Sequence, residues 1–152
     1  MTTLTIKGQE YEGKCTFKFD RVSDEKYNSQ DENGNDVGGF STIYMGLLQN
    51  DIKALSQFWD CALSHLSSKA KPSLTEIEEA LEKRIEEDEE GVEELFKEAF
   101  KAIDQSGFFK LTVKSFWKYL NMAEGMGKDD EEKEQSKNFV EMMKEAREEL
   151  TA

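Results

Sequence analysis

Phe40-Ser41-Thr42-Ile43-Tyr44-Met45-Gly46-Leu47-Leu48 is where the hydrophobic period of this 152-residue chain changes from two to about 3.6. Phe40, Ile43, Tyr44, Leu47 and Leu48 share one helical face, and Asn50-Asp51 breaks and recaps the chain. Ile52, Leu55, Phe58, Trp59, Ala62, Leu63 and Leu66 then fall on one arc of a second helix, with Lys53, Asp60 and Cys61 opposite. Two helices joined this tightly form a helical hairpin or corner. Pro72-Ser73-Leu74-Thr75-Glu76 predicts a third helix, with Ser73 and Glu76 in capping-box register and Ile77, Leu81 and Ile85 as its apolar seam. Gly91 interrupts it. Leu95, Phe96, Ala99, Phe100 and Ile103 mark a fourth helix ended by Ser106-Gly107, and a fifth runs from about Phe108 to Met122.

Upstream of Phe40 the pattern differs. Residues 28–39 contain one apolar side chain, Val37, among Asn, Asp and Gly, and predict a solvated, mobile loop. Residues 3–19 alternate: Leu4 and Ile6, a turn at Gly8-Gln9-Glu10, then Tyr11, Cys15, Phe17 and Phe19. That predicts a β-hairpin with one buried face. The expected fold is mainly α: a helical domain over 1–122 with an N-terminal β-hairpin (3–19), a flexible acidic linker at 123–133 and a C-terminal amphipathic helix at 134–152. Its expected core is Phe40, Ile43, Leu47, Leu55, Phe58, Trp59, Leu63, Phe96, Phe100, Phe109, Phe116 and Leu120.

Charge and cysteine count exclude several functions. With 33 acidic against 20 basic residues the net charge is −13, which disfavours nucleic acid and anionic membranes as partners. One histidine, His65, and two cysteines, Cys15 and Cys61, cannot make a four-ligand zinc site. Two lone thiols indicate a reducing compartment. Neither the N-terminus, Met1 to Lys7, nor the longest uncharged stretch, the 14 residues from Val37 to Asn50, reads as a signal or membrane segment. A cytoplasmic protein is expected.

The search for catalytic chemistry is negative. Counted from Asp104, an EF-hand loop fails at Phe108, Phe109 and Ser115; counted from Asp31, it fails at Asp36 and Thr42. Gly38-Gly39 lacks the rest of a phosphate-binding loop. Cys61 and His65 lie one turn apart with no third group to orient the imidazole, so packing is the expected role of both. No cofactor, metal or catalytic residue is expected.

Two surfaces remain. Residues 76–98 hold 12 acidic and three basic side chains, a net of −9, whereas Lys110, Lys114 and Lys118 recur every four residues along the fifth helix. Such a stripe either snorkels beside a core face or meets an acidic helix, of this chain or of another copy. The last helix carries Phe139, Met142, Met143, Ala146 and Leu150 on one narrow Met-rich stripe, suited to helix-in-groove binding. It either docks on its own domain or engages a partner.

The order of these elements, with Gly39-Phe40-Ser41-Thr42-Ile43-Tyr44-Met45-Gly46-Leu47-Leu48, Leu55-Ser56-Gln57-Phe58-Trp59-Asp60-Cys61-Ala62-Leu63, Pro72-Ser73-Leu74-Thr75-Glu76-Ile77-Glu78-Glu79-Ala80-Leu81, Phe96-Lys97-Glu98-Ala99-Phe100, Ser106-Gly107-Phe108-Phe109 and Phe116-Trp117, resembles the tail assembly chaperones of long-tailed phages and prophages of Gram-positive bacteria. The resemblance covers roughly residues 1–122. It implies a non-enzymatic protein of the bacterial host cytoplasm. Such a protein binds the tape measure protein, keeps it soluble and extended while the tail tube polymerises, and is absent from the finished virion. It implies contact with the tail tube protein mainly through a longer frameshift form; ending at Leu150-Thr151-Ala152, this sequence would be the short form. Self-association is compatible with both surfaces. The alternative suggested by charge alone is a small acidic inhibitor that mimics DNA and binds a DNA-processing enzyme.

Overall fold

A computed structural model describes residues 2–152; Met1, the first residue of the expected helical domain, lies outside the described residues. The chain runs β1 (Thr3–Ile6), β2 (Gln9–Glu12), α1 (Phe17–Tyr27), α2 (Gly39–Leu48), α3 (Ile52–Ala62), α4 (Leu74–Glu87), α5 (Gly91–Asp104), α6 (Lys110–Ala123) and α7 (Asp130–Thr151). The mainly α fold with an N-terminal hairpin and a C-terminal helix is therefore the observed one.

The hairpin is shorter than the alternation indicated. β1 and β2 pair antiparallel with Leu4 opposite Tyr11 and Ile6 opposite Gln9. Lys7 and Gly8, with φ of 51° and 78°, make the two-residue turn whose twist matches the strands. Pairing stops at Glu12, and residues 17–27 form a helix, whereas the alternation placed 17–19 in the hairpin and predicted no element for 20–27. Thr16 caps it by accepting a hydrogen bond from the Phe19 amide at 3.1 Å. Phe19, Val22, Ser23 and Tyr27 then follow at helical spacing and turn inward, while Phe17 is 73% exposed. Three alternating residues, 15, 17 and 19, are too few to outweigh that longer register.

α3 is the central element, packed against α1, α2, α4 and α5. Asp51 caps it by accepting from the Lys53 amide at 3.1 Å. Leu55, Phe58, Trp59 and Leu63 are fully enclosed. So are Asp60 and Cys61, which the sequence pattern set on the outer face, whereas Ile52, set on the apolar arc, is 54% exposed. From Phe58 to Ala62 the helix is enclosed on every side and has no polar face to spare, while its first turn reaches solvent. α1 can approach α2 closely because residue 39 is Gly: a Cβ there would sit 2.0 Å from the Ser23 carbonyl carbon. The capping box at Ser73 and Glu76 forms as expected, with both bonds at 3.1 Å. Of the expected core, all but Phe116 and Leu120 are buried, and those two are half-buried. The segment between α6 and α7 is shorter than the expected linker, because α6 continues to Ala123 and Asp129 already caps α7.

Candidate functional site

α6 starts where Ser106 accepts from the Phe109 amide at 3.3 Å, with Phe109 anchored in the core. Of the seven helices among the described residues it alone carries a net positive charge: its sequence Lys110 to Ala123 holds three lysines and no acid. Val113 and Trp117 point inward, with Phe116 and Leu120 half-buried beside them. Lys110, Lys114 and Lys118 line an open groove of 740 Å³ together with Val113, Trp117, Asn121 and Met122 of the same helix. Asp104 of α5 and Arg147 of α7 complete its wall. Among the described residues none of the three lysines has an acid within 4.0 Å. The acidic helix that the stripe could have met in its own chain is thus not seated on it.

A polar network fixes the groove floor. The Tyr44 hydroxyl donates to Asp104 Oδ1 at 2.5 Å and accepts from Trp117 Nε1 at 2.7 Å. Arg147 reaches the same Asp104 oxygen at 3.2 Å and lies 4.9 Å from the centre of the Trp117 ring. Four helices, α2, α5, α6 and α7, meet through these four side chains. Burial first, and then the bond to Asp104, holds the Tyr44 phenol far above the ordinary tyrosine range. It therefore remains a neutral donor.

The stripe expected on α7 is divided. Met143 and Leu150 are buried against the core with Ala146 beside them, whereas Phe139 and Met142 are 36% and 54% exposed. Val140, outside the expected stripe, is buried at 1%. The inward face is rotated because Arg147 turns toward Asp104, and Lys144 pairs with Glu124 at 3.5 Å. Neither Phe139 nor Met142 lines the α6 groove.

Asp60 is a polar centre that helical counting missed. Its carboxylate is enclosed and accepts from Tyr27 Oη at 2.7 Å, from Lys26 Nζ at 3.1 Å and from Lys71 Nζ. Burial alone would raise its pKa, but the bonds from Lys71, Tyr27 and Lys26 outweigh that and hold it below the usual carboxylate range. No spacing in the sequence joins residues 26, 27, 60 and 71. The three donors meet on the one carboxylate and tie α1 and the chain before α4 to α3, which makes this a structural knot.

Nearby Cys61 is enclosed, and burial pushes its thiol up to about 12, the opposite of nucleophile activation. His65 lies beyond the end of α3, half-buried, with Nε2 2.8 Å from the Glu12 carbonyl. In the 28–39 loop, Asp31 Oδ1 accepts from the amides of Asn33 and Asn35 at 2.9 and 3.0 Å and so caps its own turn. No group of three or more His, Cys, Asp or Glu side chains among the described residues is arranged to hold a metal ion.

The family model described as phage tail assembly chaperone protein, TAC, matches residues 3–118. The chain belongs to the phage tail assembly chaperone family. No curated protein and no solved structure shows a significant match to it. The matched span of the chaperone includes the hairpin, α1 to α5 and the α6 lysines, and ends before α7. Membership gives the chaperone a role in tail assembly and an interaction with tail proteins, which favours that expectation over the acidic inhibitor. None of its helices is long and apolar enough to cross a membrane among the described residues.

Proposed function

We propose that the protein is a non-enzymatic chaperone that binds the tape measure protein, keeping it soluble and extended while the tail tube polymerises around it. It acts in the bacterial host cytoplasm and leaves before the virion is complete. Contact with the tail tube protein belongs mainly to a longer frameshift form. The observation that carries this reading is the family match combined with a surface built for protein contact, the groove of α6 with its free lysines and apolar floor. Phe139 and Met142 of α7 offer a second apolar contact, and Met143, Ala146 and Leu150 would join it only if α7 left the core.

The test is co-expression of the full chain with the tape measure protein encoded beside it. The tape measure protein is expected to copurify and to move from the insoluble to the soluble fraction. Equal solubility with and without the chaperone would refute the proposal. Cys61→Ala and His65→Ala are expected to support capture as the unaltered chain does.

A further inference from the structure

Resting on the reading above, we infer that the α6 groove is the docking site for an amphipathic helix of the client whose apolar stripe is flanked by acidic residues. Three features of the groove specify that occupant. The floor, Val113 and Trp117, is apolar, largely covered by its own fold and held in place by the Tyr44–Asp104–Arg147 network, so it offers a preformed shallow seat for an apolar side chain of the partner. The wall carries a net positive charge: Lys110, Lys114 and Lys118 stand at one-turn intervals without an acid partner among the described residues, and Asp104, the acid in the lining, is already paired with Arg147. At 3.6 residues per turn, Leu111 and Met122, 74% and 62% exposed, come next round the helix beyond Lys118. A partner helix lying along α6 would thus meet an apolar edge, a lysine row and an apolar floor in succession. Apolar side chains with glutamates or aspartates one turn apart match that sequence of surfaces, and the lysine stems add apolar cover once their ammonium groups are paired.

The charge of the whole molecule sharpens the selection. In a chain of net charge −13, most of the surface repels an acidic helix, and this groove is where it can settle. A basic helix would be drawn instead to the acids of residues 76–98. The groove therefore specifies position as well as affinity.

The experiment uses the full chain and two fluorescent designed peptides of about 18 residues, long enough to span α6. They share one Leu/Phe stripe and differ only in flanks of Glu or of Lys. The Glu-flanked peptide is expected to bind and to shift the indole N–H resonance of Trp117, which lines the groove, leaving that of Trp59, which does not, in place. Lys110→Glu/Lys114→Glu/Lys118→Glu, checked for unchanged melting, is expected to weaken binding about tenfold at low salt. Should that variant melt early, Lys110→Gln/Lys114→Gln/Lys118→Gln gives the same comparison with a smaller change. The proposal is overturned if the Lys-flanked peptide shifts Trp117 equally, if the lysine variants bind the Glu-flanked peptide unchanged, or if that peptide fails to bind. It is also overturned if the unaltered chain self-associates through the groove, seen as a dimer by light scattering that the lysine variant abolishes; the occupant is then a second copy. These results leave the co-expression test untouched: loss of tape measure capture by the unaltered chain refutes the function, while the peptide results refute the site.

Discussion

Replacing Tyr44 by Phe removes one oxygen atom from the point where four helices meet, and its cost can be worked out from the contacts. The ring is fully buried and its shape is kept, so no cavity opens. Two hydrogen bonds vanish, one donated to Asp104 at 2.5 Å and one accepted from Trp117 at 2.7 Å. A hydrogen bond to a charged group contributes roughly 1.5–3 kcal/mol, and an orphaned buried donor costs about 1–3 kcal/mol. Asp104 retains Arg147 at 3.2 Å, which offsets part of the first loss. The expected destabilisation is about 3 kcal/mol, or a fall in melting temperature of about 6–12 °C for a chain of this size. Urea denaturation of Tyr44→Phe, Trp117→Phe and the double variant measures it. The double variant should be less damaged than the sum by about 1 kcal/mol, because both singles break the same bond. A single-variant loss under about 0.5 kcal/mol, or simple additivity, would refute the network as the anchor of the groove floor. The pH dependence gives an independent check. An unfolded tyrosine ionises near pH ~10, whereas Tyr44 in the fold is held protonated well above that. Its contribution is therefore complete below pH ~10 and is lost as pH rises further. Tyr44→Phe should flatten the alkaline fall in stability.

Gly39→Ala places a methyl group 2.0 Å from the Ser23 backbone and should destabilise by more than about 3 kcal/mol in chemical denaturation, since backbone on both sides must move. Asp60→Ala leaves Lys71 and the Tyr27 hydroxyl without their shared acceptor, while half-exposed Lys26 turns to water, and should cost about 2–3 kcal/mol. Because Asp60 is held below the usual carboxylate range, its contribution in the unaltered chain is complete above pH ~4 and disappears as pH falls through its lowered pKa. An acid titration of stability should show this arm and the variant should lack it. Met143→Ala should cost about 2–5 kcal/mol and Met142→Ala under about 0.5 kcal/mol by thermal melting, since the first is buried on the core and the second is exposed. Cys61, enclosed and with its thiol raised to about 12, should react with a thiol reagent at neutral pH only as fast as the chain opens, whereas half-buried Cys15, raised to about 11, should react slowly but without opening.

Element order, helical class and most of the core were legible from residue 40 onward because α2, α3 and α5 each bury a wide apolar arc that imposes the 3.6 period directly, and the narrower seam of α4 is marked by its capping box. The capping box at Ser73 and the break at Asn50-Asp51 were local as well, set by side chains within four positions of the groups they satisfy. The family phrases lie in the same stretches. α1 was hidden because its inward face is short and polar in part, with Ser23 inside and Phe17 outside. Long-range contacts decided the rest. Asp60 sits inside because Lys26, Tyr27 and Lys71 arrive from two other segments to neutralise it, and nothing adjacent to Asp60 announces them. α7 is rotated so that Val140 is buried and Met142 is not, because Arg147 finds Asp104 and Trp117 on two other helices. The lysine spacing on α6 was written in the chain, but it takes the tertiary fold to place an aromatic floor beside those lysines and to leave them unpaired. Periodicity records how one helix divides between core and solvent; a groove is made by two helices and by the side chains that fix the gap between them.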